Sequence, residues 1–257
     1  MKRKEIYSLW SKYLDYFYYT AHTNDVVFYR QYCKKIGGNV LEFGAGTGRI
    51  SIPIADENIK ITALDINKEM IEKLSQKIKG KTVEKNIITI QGDMKNIEIN
   101  EKFSSVIIPA RALLLAENEK EQIQILKNAK NHLKKNGKII FDIYYPDDKM
   151  INSKTDDEFL FGIHHDLENS CRYIMTGKNN FDRNFQLNHS EQFIEKINSK
   201  GETEFKIMLP VKTRYLYHNQ VMEICEKAEI TIENYYGDFN FGEINKNSDD
   251  MIYVCKN

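Results

Sequence analysis

Proline and glycine are scarce in this chain: 4 and 13 among 257 residues. That is too few for a low-complexity linker, and no internal repeat is visible. Cysteine is also sparse. Cys33, Cys171, Cys225 and Cys255 are far apart and form no C-x-x-C pair. This excludes a zinc-ribbon or disulfide framework, and the four read as reduced, mostly buried thiols of a cytoplasmic protein. No apolar run approaches the roughly 20 residues that cross a bilayer. The start, MKRKEIYSLW, is basic but is not followed by an apolar stretch with small residues, so it does not read as a secretory signal. Net charge is lacking as well: 37 basic residues balance 37 acidic ones. A general polyanion binder would carry an excess of Lys and Arg, so nucleic acid is disfavoured as a partner, though a local basic patch is compatible with zero net charge. What remains is an ordinary soluble composition, 41% hydrophobic and 29% charged. Its length suits one large domain, or one domain with an appended subdomain.

Against that scarcity, three of the 13 glycines fall within five positions of VLEFGAGTGRI, residues 40–50. A tight turn needs one or two. Three, directly after an apolar run, suggest that something outside the chain approaches the backbone closely.

Two textures divide the sequence. Up to Pro146, short Ile- and Val-rich segments alternate with helical patterns. The strand candidates are 39–43, 60–65, 87–91, 103–108 and 138–143. Asn67 is placed to cap a helix with Met70, Ile71, Leu74 and Ile78 at helical spacing, ended by Gly80. Ile123, Leu126, Ala129 and Leu133 form a second stripe, which Lys134, Lys135 and Asn136-Gly137 should close. Such alternation predicts a parallel sheet with helices on both faces. From about Phe159 to Val211 the segments 172–177, 185–197 and 203–209 are long, polar and partly alternating, with 198–202 as a hairpin turn. A helix over 215–227 and strands over 230–236 and 251–255 follow. The expected fold is α/β: a doubly wound, Rossmann-like seven-stranded sheet with an antiparallel β insert after strand five. The expected parts are a helical cap (1–36), a core (37–150 and 214–257) and the insert (151–213), a lid or dimer surface.

The glycine loop sits where the first strand turns into the first helix, so backbone N–H groups can face a ligand. Its spacing is G-x-G-x-G, not the dinucleotide G-x-G-x-x-G, and it lacks the Gly-Lys-Ser/Thr ending of a P-loop. Glu42 stands two residues before the first glycine. A carboxylate there would repel a pyrophosphate and attract an ammonium group. Asp65 ends the second strand in ITALDIN, where an acid can hold both hydroxyls of a ribose. Asp93 follows the third strand in ITIQGDM, where a carboxylate can accept from an adenine amino group. All three lie at carboxyl ends of parallel strands, where open α/β sheets bind ligands.

The succession EFGAGTGR, LDIN, GDM, a helix and KKNGKIIFDI resembles the class I S-adenosylmethionine-dependent methyltransferases. The likeness covers residues 39–143, and the last two strands suit that family's closing hairpin. It implies S-adenosyl-L-methionine as cofactor, with S-adenosyl-L-homocysteine as product. Gly44 and Gly46 would approach the methionine part, Glu42 its amino group, Asp65 the ribose, and Asp93 with Met94 the adenine. Tyr18, Ala45, Arg49, Ile66, Met70 and Pro109 complete the implied cofactor set. Within the class, the insert and the ending YYGDFN are similar to small-molecule enzymes such as glycine N-methyltransferase and the N,N-dimethyltransferases of macrolide amino sugars.

On the acceptor side, strand four leads into Pro109-Ala110-Arg111, and the Asn/Asp-Pro-Pro-aromatic pattern of amino-group methylases of DNA, RNA and glutamine is missing. In similar methyltransferases an N-terminal helix lends tyrosines to the site, and Tyr16–Tyr19 roughly matches. Aromatic faces attract a sulfonium without competing as nucleophiles. The catalytic candidates are Tyr18, Tyr19, His22, His164 and His165; one of His164, His165, His189 and His218, in or beside the insert, could remove a proton from the attacking atom, because imidazole titrates near neutrality; Asp142, Tyr144 and Tyr145 could also face a substrate. The reading is methyl transfer to nitrogen or oxygen of a small metabolite by a cytoplasmic, possible homodimer, with no metal and no membrane. The alternatives are an RNA or protein methyltransferase, or a catalytically silent cofactor-binding subunit.

Overall fold

The computed structural model describes residues 3–21, 24–152 and 157–257; the side chains of 3–7 and 19–21 are outside the description. Among them the chain forms two compact units, one of 24–146 with 215–257, the other of 1–23 with 147–214.

The larger unit is built on seven strands in the order β11-β12-β5-β4-β1-β2-β3. These are β1 (Val40–Phe43), β2 (Ile61–Asp65), β3 (Ile87–Gln91), β4 (Phe103–Ile108), β5 (Leu133–Tyr144), β11 (Thr231–Tyr236) and β12 (Asp250–Lys256). The first five run parallel, and β12 lies antiparallel between β5 and β11. Period-two alternation buries both faces. In β5, Ile139, Phe141 and Ile143 face one apolar cluster while Ile140 faces the other. In β12, Met251, Tyr253 and Cys255 oppose Ile252 and Val254 in the same way. One cluster is closed by α5 (Glu119–Asn131) and α7 (His218–Lys227). The other is closed by α2 (Asn24–Ile36), α3 (Ser51–Asp56) and α4 (Lys68–Ile78). This is the doubly wound sheet. Each buried Leu, Ile or Phe adds about 1.5–3 kcal/mol relative to exposure, which is why the sheet reads as near-continuous apolar runs.

The smaller unit packs α1 (Arg3–Ala21) on an antiparallel sheet of order β10-β9-β7-β6, with β8 beside β9. A short helix α6 (Asp148–Ile151) leads in, followed by β6 (Glu158–Asp166), β7 (Cys171–Lys178), β8 (Phe181–Asp182), β9 (Leu187–Ile197) and β10 (Thr203–Arg214). Trp10 and Phe17 of α1 are buried, Tyr18 lies 5.9 Å from Phe161, and Tyr13 lies 5.8 Å from Tyr173.

Four sequence expectations shift. The 1–36 cap is divided: α1 belongs with the insert and α2 with the sheet. Leu133 to Gly137 do not close α5. The helix ends at Asn131, and Leu133 already pairs with Phe103 in β5. The His132 carbonyl accepts the Phe103 N–H at 2.8 Å, so β4 draws the chain out of the helix, and left-handed Asn136 absorbs the slack within the strand. β6 was not legible as a strand, because a bulge between Leu160 and Gly162 breaks its alternation. The helix expected from Tyr215 begins at His218, where Tyr217 and Gln220 form a reciprocal cap.

Candidate functional site

The strand order places β1 between β4 and β2, so the order of winding reverses at β1, the switch point beside which open α/β sheets bind ligands at their carboxyl ends. The glycine loop leaves β1 there. Gly44 (φ 77°), Gly46 (φ 55°) and Gly48 (φ 90°) are all left-handed. Gly44 and Ala45 donate to the Leu64 carbonyl at 2.8 and 2.9 Å, fastening the loop to β2. The three glycines have different reasons. A Cβ on Gly48 would stand 2.2 Å from Leu74 Cδ1, so that glycine serves helix packing inside the chain. A Cβ on Gly44 would stand 3.1 Å from Ala112 Cβ. The run of three glycines, expected to admit an outside group, therefore has an internal reason at Gly48.

Asp65, at the tip of β2, closes the loop from the other side. Its Oδ2 accepts the Gly46 N–H at 2.8 Å and its Oδ1 accepts the Asn67 N–H at 2.8 Å. Burial raises its pKa, and those backbone donors oppose the rise. Asn67 then caps α4 by accepting from Met70 N at 3.0 Å, and Met70 is buried. Between them Ile66 is 58% exposed, a large apolar side chain left in solvent just past the end of β2.

Glu42 is almost wholly buried, and its carboxylate accepts from the Ser51 hydroxyl. Burial pushes its pKa up to about 8, against the Ser51 hydrogen bond and the nearby Arg49 charge. Arg49 itself is buried and forms a two-pronged pair with Asp25 of α2, Nη1 to Oδ1 at 2.8 Å and Nη2 to Oδ2. Ser51 and Asp25 were not among the sequence candidates. The available signal was chemical: a strand-buried carboxylate demands a donor, and Ser51 and Arg49 open the next helix.

Asp93 is half-buried after β3. Its Oδ1 accepts the Lys95 N–H at 2.9 Å, and Lys95 Nζ lies 3.7 Å from Oδ2 and 3.0 Å from Glu121. The Met94 carbonyl accepts from Asn128 of α5, and its side chain packs on the core. Pro109 is buried at the end of β4, followed by Ala110 and Arg111, both left-handed without being glycine. Such backbone costs about 1–2 kcal/mol per residue. Asp142, which the sequence suggested could face a substrate, is buried instead, accepting from Tyr29 Oη at 2.6 Å and Arg111 N at 2.9 Å.

The fold therefore gathers Glu42, Gly44, Ala45, Gly46, Asp65, Ile66, Met70, Asp93, Met94 and Pro109 onto one end of one sheet. Arg49, Asp142, Tyr144 and Tyr145 also belong to the sheet unit, and the tyrosine and histidine candidates of α1 and the insert belong to the smaller one. Tyr18 contacts Trp10 and Phe161, His164 stacks on Tyr16 at 4.2 Å, and His165 is exposed on β6. His22 and the Tyr19 side chain lie outside the described residues.

Residues 40–137 match the methyltransferase-domain family. Over 92% of its length the chain shares its Rossmann-like fold with the CcbJ methyltransferase of Streptomyces caelestis (TM-score 0.77, 18% identity, 97% of that chain). It shares it too with CalS10, an amino pentose methyltransferase of Micromonospora echinaspora solved with S-adenosylmethionine bound (TM-score 0.74, 10% identity, 95% and 96% of the two chains). At those identities the likeness is one of fold. By sequence, the methyltransferase domain is 26% identical over 110 residues to the cypemycin N-terminal methyltransferase of a Streptomyces species, spanning 43% of each chain. The match thus covers less than half of that relative's length. No described helix is long and apolar enough to cross a membrane.

Proposed function

We propose that this protein transfers a methyl group from S-adenosyl-L-methionine to a nitrogen of a small hydroxylated amine, of the amino-sugar kind, with a hydroxyl oxygen as the second choice of acceptor atom. The observation that carries the reading is the pair of carboxylates, buried Glu42 and half-buried Asp65, on either side of a left-handed glycine loop at the reversal point of the sheet. Their chemistry fits the cofactor. Glu42 suits the amino group of the methionine part, and Asp65 suits two adjacent ribose hydroxyls once it trades its loop N–H donors for them. Exposed Ile66 offers an apolar face to the adenine, and Asp93 an acceptor for its amino group. Gly44 and Gly46 keep side chains out of the cradle. Arg49 reaches the ligand indirectly, by fixing α2 through Asp25 and by biasing Glu42 toward its charged form.

When bound, the sulfonium supplies an electrophilic methyl group, so this chain's residues have to bind, orient and exclude water. The insert, with the α1 tyrosines, is the part left to recognise an acceptor, because the strand ends are committed to the nucleotide. CalS10, an amino pentose methyltransferase whose fold matches 95% of this chain, supports that class of acceptor. We also propose that the insert supports a homodimer. Leu160, Ile163 and Met208 are 60%, 49% and 42% exposed on its strands. A sheet face of that kind gains by being covered.

The test is an assay for S-adenosylhomocysteine release with a panel of amino pentoses, amino hexoses, simple amines and their hydroxyl analogues. Turnover confined to the amino sugars is the expected result. Turnover on RNA or protein and on none of the panel would overturn it.

A further inference from the structure

The turn after β4 is held by a device that cofactor binding alone does not call for. Ala110 (φ 55°) and Arg111 (φ 62°) are consecutive left-handed residues with side chains. Strained backbone persists only where neighbours over-determine it. Asp142 Oδ2 accepts the Arg111 N–H at 2.9 Å, while Oδ1 accepts the Tyr29 hydroxyl at 2.6 Å. The Arg111 guanidinium donates to Asp250 Oδ1, from Nη2 at 2.7 Å and Nε at 3.2 Å, and lies 5.6 Å above the Tyr144 ring. The next residue, Ala112, stands against the glycine loop, since a Cβ on Gly44 would be 3.1 Å from its own Cβ. A continuous path thus runs from Asp142 through the Arg111 backbone and Ala112 to Gly44.

We propose that Asp142 is a positioning residue: with Tyr29, Arg111 and Asp250 it clamps the left-handed turn that backs the glycine loop, and so sets the geometry of the bound methyl donor. Its consequence for methyl transfer rests on the function proposed above; the clamp itself does not. The groups facing Asp142 are Tyr29 and Asp25 from α2, Arg111 from the turn and Asp250 from β12, with Arg49 beside Asp25. Burial, then Asp250 and Asp25, raise the Asp142 pKa to about 7, against the Tyr29 hydrogen bond and Arg111. Protonation removes the charge that strengthens the Arg111 N–H bond, so the clamp loosens as pH falls through neutrality.

The test is amide hydrogen exchange at Ala110, Arg111 and Ala112 across neutral pH, with S-adenosylhomocysteine affinity measured on the same samples. In the wild type, intrinsic-rate-corrected protection should fall roughly tenfold on the acid side of the Asp142 midpoint, the worth of one charge-assisted bond. Asp142→Ala should lose the protection at every pH and bind the probe more weakly. Asp142→Asn can still accept from Arg111 and donate to Tyr29, so it should restore affinity while abolishing the pH step. Tyr29→Phe removes a bond that favours the carboxylate and should move the midpoint upward. With an acceptor in hand, Asp142→Ala should lower kcat about a hundredfold, the cost of a misplacement near 1 Å, with little change in the acceptor's KM. The proposal is overturned by pH-independent protection in the wild type, by an unmoved midpoint in Tyr29→Phe, or by exchange in Asp142→Ala that rises over the whole core. If Asp142→Ala does not fold, Asp142→Asn and Tyr29→Phe still decide. Exchange and probe binding need no acceptor, so the clamp can fail while the proposed reaction stands, and the reverse.

Discussion

At the residue scale, two buried carboxylates carry charges that burial makes costly. Glu42 and Asp142 both hold folded pKa values, about 8 and about 7, above their ordinary ones. The unfolded chain therefore releases these protons first as pH rises. Stability of the ligand-free protein should fall between about pH 5 and about pH 9, and Glu42→Gln should flatten the alkaline part of that slope. Melting curves at several pH values check this; a wild-type melting point that climbs across the interval would show the sign to be wrong. An ammonium group beside Glu42 favours its ionised form. Binding of S-adenosylhomocysteine near neutral pH should then release close to one proton per ligand, and Glu42→Gln should release none. Calorimetry in buffers of different ionisation enthalpy measures the number directly.

At the scale of elements, the glycine loop divides into parts with separate duties. Gly48→Ala forces a Cβ onto Leu74 and into a left-handed backbone, so it should cost about 1–3 kcal/mol of stability, read by denaturant titration. Gly46→Val also enters a left-handed backbone and should lose about 1–2 kcal/mol of stability, yet stay folded by circular dichroism and abolish cofactor binding; a folded variant that binds normally would remove the loop from the site. The parallel strands were legible because each is a bounded apolar run, and Asp65 and Asp93 were legible because they follow such runs. Strand β6 was not, since the bulge at Gly162 hides its alternation. The Tyr29–Asp142–Arg111 clamp was not either: its members are 113 and 31 residues apart in sequence, and no local pattern ties them. Asp142 followed the same rule that found Asp65, an acid near a strand end, but its carboxylate is committed to the chain's own donors.

At the scale of the molecule, the proposed function assigns cofactor and acceptor to different units. The sheet unit carries every residue proposed for the cofactor except Tyr18, and the insert with α1 carries the aromatic and histidine groups proposed for the acceptor. A chain of residues 24–146 joined by a short linker to 215–257 should bind S-adenosylhomocysteine but lose turnover and self-association. Full activity in that trimmed chain would place the acceptor site on the sheet unit. The central claim, that the strand-end acids and the glycine loop hold S-adenosylmethionine, is tested most directly by calorimetric titration of wild type and Asp65→Ala with S-adenosylhomocysteine. Losing a charged acceptor for two hydroxyls, at about 1.5–3 kcal/mol, should weaken binding ten- to a hundredfold. Unchanged affinity in Asp65→Ala, or tighter binding of a nicotinamide dinucleotide by the wild type, would contradict it.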